Sequence, residues 1–318
     1  MKKRIKKMIY AIGIDIGGMT TRLGAVDSEG EIHHLSIIKT HREQSFEYFL
    51  PRLCEKIDEM INAYDKSIGL GIGAPNGNFL SGTIEHPANL NWEGITPIVQ
   101  ILNKKYNINV VLTNDANAAA MGELIFGAGR GMKNFIMITL GTGLGCGIIA
   151  DGKLFYGATG FAGELGHITI EENGRPSPFA RRGSLESYCS ATGLVKTAIE
   201  MMEKTENNSL LKNIPAEKID AKLIFEAAKN GDLLARNAFD YTGRILGKSF
   251  ANIAMILSPE AFIIGGGLAN GAEFFLDITR TTMEENLIPV FKGSVRVLLS
   301  ELQERNAAVL GAAALVLK

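Results

Sequence analysis

Short apolar, β-branched runs alternate along the chain with segments whose apolar positions recur at helical spacing, and several of the short runs end in glycine. Residues 9–16 lead into Gly17 and Gly18, 68–72 into Gly73, 135–138 toward Gly141, and 261–264 into Gly265. Runs of this length bounded by turn residues read as buried strands. Residues 22–26, 110–112 and 295–299 read the same way. Between them, Phe46, Phe49, Leu50, Leu53, Ile57, Met60, Ile61 and Tyr64 mark one face of a helix, which Pro51 is expected to kink or delay. Further helical patterns include one ending near Lys105 and others over 118–126, 185–203, 218–229, 233–257, 272–286 and 307–317, whereas 172–182 reads as a loop. The order strand, turn, helix in the first half recurs in the second, which predicts two similar α/β domains facing across a cleft.

Candidate chemistry collects at the glycine bends. After the strand at 135–138, Gly141, Thr142, Gly143, Gly145 and Gly147 form a strand-turn-strand. Glycine at nearly every second position permits positive φ and close approach, so backbone N–H groups can face phosphate oxygens. Asp151-Gly152 makes the next tight turn. Downstream, Glu164 and His167 place an acceptor and a switchable donor together, which suits a polyhydroxylated ligand. No window fits G-x-G-x-x-G, because Ile148 falls where the third glycine is needed, and residues 243–249 (GRILGKS) miss the Walker spacing inside a helical pattern. Any phosphate is therefore held by hairpins.

A second hairpin carries Asp15, Gly17, Gly18, Thr20 and Thr21: a carboxylate able to hold Mg²⁺ through water, and hydroxyls to donate to phosphate. An Asp before a turn is by itself as readily a turn residue. The loop Gly73-Ala74-Pro75-Asn76-Gly77 follows a strand end, where α/β proteins make ligand contacts. Asn114 and Asp115 sit between the strand at 110–112 and an Ala-rich helix. N-capping is the ordinary role there, and the helix dipole is expected to favour an ionised Asp115 able to accept a hydroxyl proton.

Composition narrows the classes. The 318 residues suffice for two domains, and 46% hydrophobic with 21% charged content is that of a globular protein. A net charge of −1 gives no field for nucleic acid or anionic membrane. The basic start (Lys2, Lys3, Arg4, Lys6, Lys7) resembles a signal-peptide n-region until Asp15 interrupts the apolar run, and it reads as a solvated terminus. No apolar run approaches the roughly 20 residues of a membrane helix. Three scattered cysteines (Cys54, Cys146, Cys189) fit a reducing cytoplasm.

These motifs, in this order, resemble those of the ROK family of sugar kinases within the hexokinase, actin and Hsp70 superfamily. IGIDIGGMTTRLGAVD resembles the first phosphate motif, ITLGTGLGCGIIADGK the second, and IIGGG the adenosine loop; GAPNG, PANLNW and TNDAN resemble the sugar-domain motifs, and ELGH matches Glu-x-Gly-His. The resemblance implies two ribonuclease H-like α/β domains flanking a central cleft (the actin-like ATPase fold): a smaller one over 1–120 plus 305–318, and a larger one over 121–304. It implies Asp115 as the base in transfer of the ATP γ-phosphoryl group to the 6-hydroxyl of a hexose, glucose first. N-acetylmannosamine, N-acetylglucosamine, fructose, mannose and allose are the alternatives. Asn76, Gly77, Asn89, Asn114, Glu164, His167 and Glu186 would bind sugar. Asp15 (with Mg²⁺), Gly17, Gly18, Thr20, Thr21, Gly141, Thr142 and Gly143 would line the phosphate path, and Gly265 and Gly266 the adenosine. A homodimer or homotetramer without nucleic-acid or membrane partners follows by analogy. Repressors of the family carry an N-terminal helix-turn-helix segment, which is not expected here because only 14 residues precede Asp15.

One departure stands out. The family's zinc site joins the His of Glu-x-Gly-His to three cysteines of a Cys-x-Cys-Gly-x-x-Gly-Cys-x-Glu segment, and here Ser177, Phe179 and Ser184 replace them while Glu186 remains. No zinc is expected. Something else must orient His167; Arg181 and Arg182 are candidates from sequence, with a solvated basic loop as the more ordinary reading of that pair.

Overall fold

The computed structural model describes residues 9–64, 67–87, 90–177, 182–204, 208–302 and 306–317. The basic start, Asn89, Phe179 and Arg181 lie outside the described residues. The chain forms two compact units: unit 1 is Met1–Met132, Gly147–Ala162 and Glu301–Lys318, and unit 2 is Lys133–Cys146 and Gly163–Ser300.

Unit 1 opens with β1 (Tyr10–Ile16), β2 (Thr20–Asp27), β3 (Ile32–Lys39), α1 (Phe46–Ala63) and β4 (Ser67–Gly73). Short strands β5 (Gly77–Asn78), β6 (Thr83–Glu85) and β7 (Ile95–Thr96) make a small sheet of their own; α2 (Ile98–Tyr106), β8 (Asn109–Thr113) and α3 (Asp115–Phe126) follow. The main sheet runs β3-β2-β1-β4-β8, with β1, β2 and β3 antiparallel and β4 and β8 parallel to β1. β1 is covered on both faces, which is why it reads as a continuous apolar run. One face meets α1, whose Phe49, Leu53, Ile57 and Met60 join Ile14, Leu23 and Ile72 in the core, with Trp92 edge-on to Phe46. Pro51 neither delays nor breaks α1: it lies on the exposed side, where water can serve the carbonyl that loses its N–H partner. β3 escapes the sequence reading because it is an edge strand with only one covered face, exposed positions alternating with half-buried ones.

The elements that follow are β9 (Phe135–Leu140), β10 (Leu144–Ala150), β11 (Lys153–Leu154), α4 (Glu186–Cys189), α5 (Ala191–Lys204), α6 (Ala221–Lys229), α7 (Leu233–Leu257), β12 (Ala261–Gly265), α8 (Leu276–Asn286), β13 (Arg296–Leu299) and α9 (Ala307–Ala314). Their sheet has the order β11-β10-β9-β12-β13, the same winding as the first sheet, and the chain passes from unit 2 to unit 1 within β10. β12 is parallel to both β9 and β13. The helix expected over 185–203 is two. Ser190 is extended (φ −120°, ψ 174°), and its hydroxyl accepts from Gly193 N at 3.0 Å, capping α5. Likewise α6 starts at Ala221, where Asp220 caps it, and the 272–286 pattern divides into a 3₁₀ stretch (Gly267–Phe274) and α8. Gly243 and Gly247 lie within α7 and let the backbone of Phe275 and Thr279 come close, so GRILGKS is a helix-packing segment. Among the described residues no helix is long and apolar enough to cross a membrane.

Candidate active site

Three parallel neighbours in unit 1 bring their C-terminal ends level: Asp15 pairs with Gly73, and Gly73 with Thr113. Such strand ends are where open α/β sheets gather ligand-binding groups. The cap of α3 is Asn114, whose Oδ1 accepts from Asn117 N at 2.7 Å. Asp115 is left as the first helical residue, exposed, with Oδ1 accepting from Ala116 N at 2.8 Å. Behind it the buried Asn117 donates to Thr113 Oγ1 at 3.1 Å, and its Oδ1 has no partner.

Asp15 feels the charge of Asp115. Burial pushes the Asp15 carboxyl up to about 6, the Asp115 charge adds to this, and Arg22 across the hairpin pulls it back down. Asp115 is reached by solvent, yet the protein packed around its carboxyl raises its pKa, against the lowering effect of Ala116 N–H. The dipole expected to favour the ionised form is therefore outweighed by desolvation. A raised pKa makes the ionised carboxylate a better proton acceptor. Arg22 was missed from sequence, although counting across the hairpin from Asp15 finds it.

The glycine hairpins work differently from expectation. None of Gly17, Gly18, Gly141, Gly143, Gly145 and Gly147 has positive φ. In unit 1, Gly17 N donates to Thr20 O at 3.0 Å; Thr20 is half-buried, while Thr21 faces the interior and shares a hydrogen bond of 2.9 Å with Thr40. Asn76 has φ +52° and donates to the carbonyls of Glu85 (3.0 Å) and His86 (3.1 Å), so its amide hydrogens fasten the loop. Gly77 has no room for a Cβ against the Thr113 carbonyl. These two residues shape the loop that follows β4.

In unit 2, Gly141 N donates to Gly143 O at 2.9 Å, and the carbonyls of Gly141 and Thr142 accept from Ala191 N and the Thr192 hydroxyl at the start of α5. A side chain at Gly143 would occupy the place of the Glu186 carboxylate, whose Oε2 accepts from Leu144 N at 2.9 Å. His167 Nε2 lies 3.6 Å from Glu164 Oε2 across one 3₁₀ turn. Gly266 does need its freedom, with φ +89° and the Leu140 backbone where a Cβ would be. The candidate residues thus divide between the units: Asp15, Thr20, Asn76, Asn114 and Asp115 in one, and Thr142, Glu164, His167, Glu186 and Gly266 in the other.

The raised Asp15 pKa makes a stability prediction. Its carboxyl titrates near 3.8 unfolded and about 6 folded, so between these values the native state holds the extra proton and stability falls as pH rises. At pH 7 the full penalty is present. Asp15→Asn is therefore expected to be more stable than wild type at pH 7, by about 1 to 3 kcal/mol given its half-buried position. Urea unfolding at pH 4 and pH 7 checks this; a gain no larger at pH 7 than at pH 4 would contradict it.

Comparison with known proteins gives a consistent picture. The ROK family pattern matches residues 11–318. A glucokinase from Halalkalibacterium halodurans is 35% identical over 289 residues, covering 88% of this chain and 87% of that protein. A xylose repressor from Caldicellulosiruptor bescii is 30% identical over 311 residues, covering 96% of this chain and 77% of that protein. The crystal structure of a ROK family glucokinase from Streptomyces griseus in complex with glucose and AMPPNP superposes with a TM-score of 0.81 at 34% identity, covering 96% of this chain and 99% of that one.

Proposed function

This chain belongs to the ROK family, and on that premise we propose that it is an ATP-dependent glucokinase, forming glucose 6-phosphate with Asp115 as general base. The observation that carries the reading is the pair of carboxylates, Asp15 and Asp115, gathered at the ends of parallel strands, in a chain 35% identical to a glucokinase. Asp115 accepts the 6-hydroxyl proton as the oxygen attacks phosphorus. Asn114, Glu164, His167 and Glu186 hold the remaining hydroxyls, and the hairpins at Gly17 and Gly141 orient the polyphosphate. Two carboxylates close enough to raise a pKa suit a divalent cation, and Mg²⁺ held through Asp15 would supply charge neutralisation for the polyphosphate. Alignment and charge neutralisation make up most of what phosphoryl transfer asks of a protein.

The repressor similarity favours a second reading, a sugar-sensing regulator that binds without turnover. A coupled assay with ATP over glucose, N-acetylmannosamine, N-acetylglucosamine, fructose, mannose and allose separates them. Glucose is expected to show the highest kcat/KM; another hexose ahead by tenfold or more moves the substrate, and no turnover with any sugar removes the kinase. The three buried free cysteines support a cytoplasmic setting, and family analogy a homodimer or homotetramer.

A further inference from the structure

The segment 172–182 contains a third arginine, and it is this one that is buried. Arg182 is exposed, whereas Arg175 is almost fully enclosed in unit 2. Its Nε and Nη2 grip Glu200 Oε1 and Oε2, each at 2.8 Å; Nη1 donates to Ser187 O (2.9 Å) and Gly193 O (3.1 Å), and Nη2 also to Thr197 Oγ1 (2.9 Å). These five bonds use all five guanidinium N–H groups. The guanidinium also stacks over the Tyr188 ring at 4.3 Å, and the Tyr188 hydroxyl accepts from Arg175 N at 3.0 Å. Glu200 responds: the Arg175 hydrogen bonds hold its carboxyl below the usual range.

We propose that Arg175 is the positioning residue for the proposed sugar-binding pair: its guanidinium clamps α4 to α5 beside Glu186, and its backbone, held in place by that grip, ties the preceding loop to the segment beside His167. This rests on the kinase reading for what the pair binds. Ser187 and Tyr188 directly follow Glu186, and Gly193, Thr197 and Glu200 lie on α5, so the guanidinium sets α4 against α5. Through its own carbonyl Arg175 accepts from Gly183 N at 2.8 Å. Residues 183–185 in turn bind 168–170: Ile170 N donates to Gly183 O (2.8 Å), Leu185 N to Ile168 O (3.0 Å), and Thr169 bridges Ser184. His167 is the next residue. A single residue thus reaches both ends of the segment that carries the Glu186 carboxylate and the His167 ring, its guanidinium at α4 and α5 and its backbone carbonyl at Gly183. Lysine, a point charge with three donors, cannot reproduce a planar two-point grip on Glu200 while also serving two carbonyls.

The test measures sugar and nucleotide kinetics separately in Arg175→Lys and Glu200→Gln, each assayed well below its melting temperature. Misplacing a binding group by about an ångström can cost on the order of 10²-fold, so Arg175→Lys is expected to raise the glucose KM by about tenfold or more while the ATP KM stays within about threefold. Glu200→Gln keeps the carbonyl contacts and is expected to show a smaller rise of about threefold, again selective for sugar. Because Glu200 is only half-buried, that variant carries the test if Arg175→Lys does not fold. An unchanged glucose KM, or an equal rise in both KM values, overturns the proposal. Hydrogen exchange gives an arm independent of turnover: the amides of 168–170 and 183–190 should exchange about tenfold faster in Arg175→Lys, or in Glu200→Gln to a lesser degree. Unchanged exchange there overturns the clamp, whereas a wild-type protein that phosphorylates no sugar sinks the kinase reading and leaves the exchange result to decide the clamp.

Discussion

Asp115→Asn is expected to lower kcat by about 10²- to 10⁴-fold while glucose affinity stays within about threefold of wild type. The substitution keeps size and shape, and the amide oxygen can still accept from Ala116 N, so α3 should start as before. It removes the acceptor for the hydroxyl proton. Removing the Asp115 charge also takes away one of the influences that raise Asp15, whose pKa should move back toward 3.8. The variant should therefore be no less stable than wild type, which separates lost chemistry from lost fold. Single-turnover rates with ATP, together with glucose binding by calorimetry, check both halves. Turnover within tenfold of wild type would take Asp115 out of the base role; lost glucose binding would make it a sugar contact.

The sequence carries the strand ends well and the side-chain partnerships poorly, for physical reasons visible at particular residues. A strand covered on both faces, such as β1 or β12, announces itself by an unbroken apolar run, but β3, with one covered face at the sheet edge, does not. Asp151-Gly152 turns as read, both residues at positive φ. The glycines at 141–147 were legible as glycines, but the reason for them was not: their neighbours, such as Glu186 beside Gly143, lie far along the chain. Arg175 and Glu200 are separated by 25 positions, and no local pattern joins them. Burial overrode the helix dipole at Asp115 because the dipole is a property of local sequence while desolvation comes from everything folded around the carboxyl. The phosphate-facing hairpins and the Glu164–His167 pair were legible from the residues themselves, whereas the sugar roles of Asn89 and Glu186 and the adenosine role of Gly265 and Gly266 came with the family resemblance.

Gly71→Ala is expected to destabilise unit 1 by about 3 kcal/mol or more, lowering its melting temperature by about 6 to 12 °C. Gly24, Gly13 and Gly71 stand side by side on β2, β1 and β4, paired in register, and α9 lies across this row. The absence of side chains lets the helix rest on the sheet backbone: a Cβ on Gly71 would run into the Ala312 carbonyl, and one on Gly13 into that of Val309. A carbonyl inside a helix cannot rotate aside without breaking its hydrogen bond, so α9 would have to lift as a whole. That would also pull Gly311 away from the Ala118 backbone in α3, the helix that begins with Asp115. Gly24→Ala provides the contrast, because its new methyl meets the Val309 Cγ1 side-chain atom at 2.6 Å and a side chain can turn or shift. Its cost should be nearer 1 kcal/mol. Alanine is otherwise favoured over glycine in a strand by roughly 0.5 to 1 kcal/mol, so a measured loss at Gly71 understates the clash. Thermal unfolding of the two variants side by side decides it: equal losses, or a Gly71→Ala protein melting within 2 °C of wild type, would show that α9 does not depend on the bare backbone beneath it.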